Sequence, residues 1–460
     1  MKRETRRLIL IATGLVFVSL ACNLTSLAGG SASNVETAVA ATVAVLSPLE
    51  TSTPIPPATP EAHEVLPTAT TSPTAAPIRI SFVDSARNLY VWTDGTLAPV
   101  ELVNSGDVVQ SYISTDGNVI AYTRSADYTS YTLEAINTDG TNQHTLITAA
   151  AFAAMPRPSG STGLVPYKLS WIPNRHSLGM SVRITFEGPG LQIGDTLYSV
   201  DADNGTVTTL LHAGENFNFS FSPDGSLLVI TRPTGVDLYT AAGATILANV
   251  VSHEFVNTAS EYAWVATPVW QNDSSNFMVV IPPKEPWVDT PGASAFWKVT
   301  SGGVATRVFS GQISFFPSGL ASFNPTLTRM AFTQRLGIPT DNNWALHISN
   351  TDGSSDTVVD SGYFNQLPVW SPEGDRSVYA KKVGSANQAY LIVSGSSPVL
   401  LSDISSLIDA RWLDGSRFVI SSRGGSGSSL LMETVGGASG VIFNDPGISP
   451  QQEFSFDVNR

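Results

Sequence analysis

Cysteine is almost absent from this sequence. The 460 residues contain one cysteine, Cys22, so the chain cannot form an internal disulfide bond. The six histidines show no H-x-x-x-H or comparable spacing, and no further thiol is available to bind zinc. We therefore expect no metal site and no cofactor.

Charged residues are scarce, and basic ones especially so. Only 13% of the residues are charged, and 24 Lys and Arg stand against 38 Asp and Glu, for a formal net charge of −14. Nucleic acids and anionic lipid surfaces are bound through basic patches, so we expect neither as a partner. Glycine, serine, threonine and aromatic residues are plentiful, which is typical of many short strands joined by tight turns.

The first 22 residues are organised as an export signal. Basic residues between positions 2 and 7 precede an uncharged apolar run over residues 8–21, which is short for a membrane-spanning helix. The lone Cys22 that follows resembles the lipidated residue of bacterial lipoproteins, although Ser19 and Leu20 stand in the reverse of the usual order. We expect a lipid anchor on Cys22. Ordinary cleavage and an uncleaved N-terminal anchor are the alternatives, and all three place the rest of the chain outside the cytoplasm.

A low-complexity segment follows over residues 23–77. It contains no Lys, Arg or aromatic residue, and residues 51–77 are built almost wholly from Thr, Pro, Ala and Ser. Such a composition cannot bury enough apolar surface to offset the entropy lost on ordering. The sequence therefore predicts an export signal over 1–22, a disordered tether over 23–77 and a folded domain over 78–460.

The folded part repeats one sequence motif: an aromatic residue, then a turn, then a strand in which apolar residues alternate with others. Its clearest form is VWSPEGDRSVYA from Val369. The motif occurs seven times, at spacings of 42 to 58 residues. The other copies are ISTDGNVIAY from Ile113, WIPNRHSLGM from Trp171, FSPDGSLLVI from Phe221, WQNDSSNFMV from Trp270, FNPTLTRMAF from Phe323 and WLDGSRFVI from Trp412. Each copy precedes a second motif in which a strand leads into a turn that contains Gly. An eighth copy of this second motif starts at Leu89.

The residues of the repeat have physical roles. Pro presets φ for the first central position of a turn, Asp or Glu suits the second, and Gly accepts the positive φ that rejoins a hairpin. The aromatic residue supplies a large apolar body that packs between sheets. Each unit therefore predicts four short strands, and stacking such units around an axis buries both faces of every sheet.

This pattern resembles the TolB-type, or WD40-like PD40, β-propeller repeat. The resemblance covers about residues 78 to 458; it is specific at 221–225 and 370–374, and degraded at Trp171, Trp270 and Phe323, where the turn lacks Gly. It implies an all-β propeller of four-stranded blades and suggests protein–protein interaction in the bacterial cell envelope.

The blade count depends on the two ends of the domain. The first copy lacks an opening strand, and EFSFD from Glu453 to Asp457 follows the last complete copy. We predict that this C-terminal segment supplies the missing strand, giving eight blades and closing the ring. Seven blades and a frayed tail are the alternative.

Long insertions predict which face of the propeller binds a partner. The short Pro-Asp-Gly and Asp-Gly turns share one face, so the insertions at 148–166, 184–194, 248–263, 282–294 and 335–343 share the other. Aromatic and charged residues in or beside them are suited to anchoring a peptide or sugar. The candidate binding residues are Phe186, Glu187, Lys284, Glu285, Trp287, Asp289, Asp341 and Trp344; the alternative is that Trp287 and Trp344 fill gaps between blades.

No catalytic motif accompanies the repeats. The Gly-x-Ser-x-Gly turn of hydrolases that carry such a propeller is absent from the sequence. We expect a monomeric, non-catalytic binding or scaffolding module for a protein, peptide or envelope glycan. The alternatives are a lyase or hydrolase with its site in the central channel, and a sensor or solute-capture subunit of a larger complex.

Overall fold

The structure is a computed structural model that describes a large part of the folded domain. The described residues are 77–188, 191–258, 263–288, 292–315, 319–337, 342–401, 404, 407–424, 427–446 and 455–459. They belong to the compact unit Pro73–Arg460, whereas Cys22 and most of the predicted tether lie outside them. Among the described residues one short helix, α1 (Ala149–Ala153), interrupts the strands, and no helix is long and apolar enough to cross a membrane.

Antiparallel pairing sorts the strands of the first half into four-stranded blades, each running from an inner strand to an outer one. Blade 1 contains β32 (Ser455–Val458), β1 (Arg79–Val83), β2 (Leu89–Thr93) and β3 (Val100–Val103), and blade 2 contains β4 (Val108–Ile113), β5 (Val119–Arg124), β6 (Thr132–Asn137) and β7 (His144–Ile147). Blade 3 contains β8 (Ser161–Trp171), β9 (Ser177–Phe186), β11 (Thr196–Asp201) and β12 (Val207–His212), with a short extra strand β10 (Leu191–Ile193) beside β9. Blade 4 contains β13 (Asn218–Phe221), β14 (Leu227–Arg232), β15 (Gly235–Thr240) and β16 (Thr245–Ser252).

The second half follows the same order. Blade 5 contains β17 (Val269–Trp270), β18 (Asn276–Ile281), β19 (Ser294–Thr300) and β20 (Ala305–Gly311). Blade 6 contains β21 (Ala321–Phe323), β22 (Arg329–Arg335), β23 (Trp344–Asn350) and the first half of β24 (Thr357–Trp370). Blade 7 contains the second half of β24, β25 (Arg376–Val383), β26 (Ala386–Val393) and β27 (Val399–Leu400), and blade 8 contains β28 (Leu407–Trp412), β29 (Arg417–Gly424), β30 (Gly427–Thr434) and β31 (Gly440–Asp445).

The apolar cores lie between the blades. Each described cluster of buried side chains draws its members from two consecutive blades, from the core shared by blades 1 and 2 to the core shared by blades 7 and 8. A further cluster joins blade 8 to blade 1 and includes Leu413, Val419, Phe82 and Phe456. The predicted all-β propeller of four-stranded blades is confirmed by this arrangement.

The C-terminal strand lies where the sequence predicts a missing one. β32 pairs with β1 in antiparallel register, from Ile80 opposite Val458 to Val83 opposite Ser455. Within the described residues the strand runs from Ser455 to Val458, and the first two residues of the predicted segment are not among those described. The count of eight and the dependence of the ring on this strand stay predictions.

The predicted insertions are wrong in part, because each overlaps a strand: β16 continues to Ser252, β19 begins at Ser294 and β22 ends at Arg335. β8 begins at Ser161 and β9 continues to Phe186, so 161–166 and the first part of 184–194 are strand. The reason is that these two strands go on pairing past the blade, as far as Ser161 opposite Phe186.

Candidate functional site

The topology places the longer connections on one face. Strands alternate in direction within a blade, so the second-to-third loops and the blade-to-blade connections share a face, which we call the long-loop face. In the described residues it carries the connections β7–β8, β9–β11, β16–β17, β18–β19, β20–β21 and β22–β23. The β20–β21 connection was not among the predicted insertions.

Two predicted binding residues lie on blade 3. Phe186 ends β9 and is partly buried against the core between blades 2 and 3, whereas Glu187, the next residue, is exposed. They lie on a different blade from Lys284, Glu285 and Trp344.

The β18–β19 connection of blade 5 carries three more of the predicted residues. Lys284 and Glu285 are exposed, and the Lys284 ammonium lies 3.7 Å from the Glu254 carboxylate. The backbone N–H of Asn257 donates to the carbonyl oxygen of Lys284 at 2.7 Å. These contacts tie the β16–β17 and β18–β19 connections together.

Trp287 belongs to an aromatic cluster built from three connections. Its ring centroid lies 5.4 Å from that of Phe315, which lies 6.5 Å from Trp264, which in turn lies 6.0 Å from His253. Trp287 is 49% exposed, so the cluster presents an aromatic surface to solvent. Burial lowers the pKa of His253, which keeps its imidazole neutral near pH 7.

Of the remaining predicted residues, Trp344 does not contribute to this surface. Trp344 is only 2% exposed, because it lies in the core between blades 6 and 7 with its ring 5.2 Å from that of Tyr363. The expectation that Trp344 helps to form the binding face is therefore wrong, and its role as a filler between blades fits its position. Asp289 and Asp341 lie outside the described residues.

A cavity of about 720 Å³ opens between blades 3 and 4, beside the aromatic cluster. In the segment before β17, Ala263, Val265 and Thr267 line this cavity, while Trp264 between them turns into the aromatic cluster. Its lining includes the polar side chains of Lys168, Ser181, Arg183, Gln192, Asn216, Asn218 and Thr267. None of these residues is among those predicted from the sequence.

Local irregularities of the strands create this cavity. The register of β8 against β9 shifts between Pro166 and Lys168, and such a bulge re-aims side chains so that the consecutive residues Tyr167 and Lys168 both line the cavity. The neighbouring wall is β10, held in place by Asn216, whose backbone N–H donates to the carbonyl of Ile193 at 3.1 Å while its side chain accepts from the Ile193 N–H at 3.2 Å. A lysine in an inner strand was the available sequence signal, but the bulge that aims it is not visible in the pattern.

Lys168 is held by neutral groups. Its ammonium donates to Oδ1 of Asn218 at 2.8 Å and to the carbonyl oxygen of Phe219 at 2.6 Å. Burial lowers the pKa of Lys168 to about 8, because a charged ammonium loses hydration there. The side chain is therefore mainly protonated at pH 7 and titrates just above that pH.

The central channel holds a second, smaller cavity of about 400 Å³, lined by the inner strands β4, β8, β28 and β32. Burial raises the pKa of Asp457 to about 6, although its carboxylate accepts from the backbone N–H of Ile113 at 3.1 Å and from that of Val458 at 3.0 Å. Arg411 is the other charged residue of the described lining. The described part of the chain contains no group of three His, Cys, Asp or Glu placed to hold a metal ion.

Comparisons with known proteins give structural similarity without sequence relatives. No protein-family model matches this chain, and no curated protein sequence matches it. TolB from Acinetobacter baumannii is similar at 13% identity and a TM-score of 0.33. The similarity covers 71% of this chain and 63% of that one, so this chain spans less than two thirds of that protein's length. An oligogalacturonate lyase in complex with manganese is similar at 11% identity and a TM-score of 0.43, over 77% of this chain and 95% of that one. The β-propeller domain of the Trilobed protease from Pyrococcus furiosus is similar at 12% identity and a TM-score of 0.40, over 60% of this chain and 84% of that one.

Proposed function

We propose that the protein is a non-catalytic binding module that receives its ligand on the long-loop face. The observation that carries this proposal is that one face gathers both the aromatic cluster around Trp287 and the cavity of about 720 Å³. Concave, mainly pre-formed sites with a few polar groups and aromatic walls are the usual form of ligand sites. The ligand classes that suit such a surface are a protein segment, a peptide or an envelope glycan.

The opposite face supports this assignment because its turns bond to one another. The N–H of Asp224 donates to Oγ of Ser274 at 3.0 Å, and the N–H of Asn272 donates to the carbonyl of Pro325 at 2.8 Å, each from one blade to the next. A Cβ on Gly225 would lie 2.1 Å from the carbonyl oxygen of Pro173 in the preceding blade. The polar groups of these turns are thus already engaged with a neighbouring blade.

The proposed location is outside the cytoplasm, on a lipid anchor at Cys22. The basis is the sequence alone: a basic and then apolar start, the lone cysteine and the Thr/Pro-rich segment after it. Such a tether lets a domain bind ligands at a distance from the membrane. Membrane fractionation of the Cys22→Ser variant tests the anchor, since we expect that variant to leave the membrane fraction and the parent to stay in it.

A glycan and peptide array tests the binding function. We expect the full-length protein to bind a subset of envelope-type glycans or peptides, and Trp287→Ala to weaken that binding about tenfold by removing an exposed aromatic anchor. Leu97→Ala is the control, because Leu97 is fully exposed in a turn on the opposite face. Binding that survives Trp287→Ala but is lost in Leu97→Ala would place the ligand on the wrong face and refute the proposal.

A further inference from the structure

The cavity between blades 3 and 4 concentrates cationic groups in an acidic protein. Lys168 from β8 and Arg183 from β9 line it, and no Asp or Glu stands among its described lining residues. The chain as a whole carries a formal charge of −14, so its composition does not lead one to expect a cluster of positively charged side chains. Buried or half-buried cations are ordinarily paired with carboxylates, and here that partner is missing from the described lining.

Two hydrogen-bond donors at this cavity have no acceptor among the described residues. They are Nε of Arg183 and Nε2 of Gln192, and both atoms are buried. An unpaired buried donor costs free energy, which a ligand that supplies the acceptor recovers. The ammonium of Lys168 also has three donors and uses two of them on Asn218 and Phe219.

The rest of the lining is mainly apolar. Tyr167, Ile193, Phe217, Ala263 and Val265 surround the polar side chains. A volume of about 720 Å³ is far larger than a single carboxylate or phosphate group, so a ligand that fills the cavity needs a body as well as a charge. The walls favour a body with apolar surface, and an aromatic ring can stack on the half-exposed ring of Tyr167.

We propose that this cavity binds a small organic anion, with its carboxylate against Lys168 and Arg183 and an apolar body against the remaining wall. Arginine presents donors that match a carboxylate in two-point geometry, and the third Lys168 donor adds to them. The inference rests on the proposed binding function and names the ligand class of one part of the long-loop face.

Three probes that share one apolar body and differ only in the head group, and thus in its charge, test the preference for an anion. The probes are 4-phenylbutyrate, 4-phenylbutyramide and 4-phenylbutylamine, titrated into the full-length protein by calorimetry and by ligand-observed NMR. We expect the carboxylate to bind at least tenfold more tightly than the amide and the amine not to bind. Equal affinity for carboxylate and amide, preference for the amine, or no binding of the carboxylate overturns the inference without requiring any variant to fold.

Two variants assign the effect to the cavity. We expect Lys168→Met and Arg183→Met each to weaken 4-phenylbutyrate binding at least tenfold. Lys382→Met is the matched control, because Lys382 is an exposed lysine of β25 on blade 7, and it should leave the affinity unchanged. Unchanged affinity in both cavity variants, or an equal loss in the control, contradicts the assignment.

The pH dependence gives an independent signature. Burial lowers the pKa of Lys168 to about 8, so its charge is lost as the pH rises from 7 to 9.5. The other titratable groups of the described lining are Tyr167 and Arg183, and an arginine does not lose its charge in this range. We expect the affinity for 4-phenylbutyrate to fall over this range in the parent and to stay flat in Lys168→Met; a parallel fall in both would contradict the role of Lys168.

The outcomes separate this inference from the function on which it rests. Array binding that depends on Trp287, together with no selectivity for the carboxylate probe, would overturn the anion site and leave the binding face standing. Carboxylate binding that depends on Lys168 and Arg183 supports the anion site whatever the array shows.

Discussion

At the scale of single residues, tryptophan side chains set the spacing between neighbouring blades. The indole N–H of Trp171 donates to the carbonyl of Tyr112 at 3.1 Å, and that of Trp270 donates to the carbonyl of Ser220 at 3.3 Å. In each case the acceptor lies on the inner strand of the preceding blade. Trp412 repeats the contact with Val369 at 2.8 Å. The aromatic residue of the repeat is thus both an apolar wedge and a polar link between blades.

Removing one such tryptophan side chain should destabilise the folded domain. Trp370 is 8% exposed, lies in the core between blades 6 and 7, and donates from Nε1 to Oγ of Ser322 at 3.2 Å. We expect Trp370→Ala to lower the free energy of unfolding by about 3 to 5 kcal/mol through the cavity that it leaves. Trp370→Phe should cost about 1 kcal/mol, mainly from the lost hydrogen bond. Equilibrium urea denaturation measures both.

The half-exposed Trp287 is the control for this experiment. Trp287→Ala should change the free energy of unfolding by less than about 1 kcal/mol, because the ring is outside the inter-blade cores. A loss below about 1 kcal/mol for Trp370→Ala would show that Trp370 is not a wedge.

At the scale of elements, the turn after each wedge sets how closely neighbouring blades approach. Gly225 has φ 69°, which L-amino acids other than Gly rarely adopt, and its missing side chain leaves room for Pro173. The copies that lack Gly keep the same backbone: Ser274 has φ 63° and Leu327 has φ 52°. Leu327 is buried in the core between blades 5 and 6, which offsets its backbone strain.

Two glycine-to-alanine variants separate backbone strain from close approach. Gly95 also has positive φ, at 84°, but a Cβ there would meet nothing within 4 Å. We expect Gly95→Ala to lower the free energy of unfolding by about 1 kcal/mol, the cost of the left-handed conformation. Gly225→Ala should cost about 1 to 3 kcal/mol more, because its Cβ displaces Pro173. Similar losses in thermal or urea unfolding would show that the turns are not in tight contact.

The repeat made the blades predictable, whereas the site depended on departures from it. Aromatic anchors and turn residues act locally, so their spacing was enough to predict four-stranded blades. The continuous β24, which serves two blades, could not be foreseen, because a strand that changes sheets has no turn residue to mark the change. Trp287 was found as an aromatic residue in a long insertion, but the cavity at Lys168 arises from a bulge and from pairing with β10, which sequence spacing does not encode.

At the scale of the whole molecule, both ends of the domain meet in blade 1. Asn459 accepts from the backbone N–H of Arg79 at 2.6 Å and donates from Nδ2 to the carbonyl of Pro77 at 3.1 Å. Blade 8 reaches blade 1 as well, since Arg417 lies 2.9 Å from the Asp94 carboxylate. A propeller without such a link would expose two sheet faces and their apolar cores to water.

Deleting residues 453–460 tests whether the ring depends on this link. The deletion removes β32, leaves the β1 edge that faces it unpaired and takes Phe456 out of the core between blades 8 and 1. Several kcal/mol of stability should be lost, so we expect the melting temperature to fall by roughly 10 °C. A synthetic peptide of residues 451–460 should restore part of the loss by pairing with β1, and a scrambled peptide should not. An unchanged melting temperature would instead favour seven blades and an inessential C-terminal strand, because a ring closed by β32 cannot lose its closing strand without exposing the faces of blades 1 and 8.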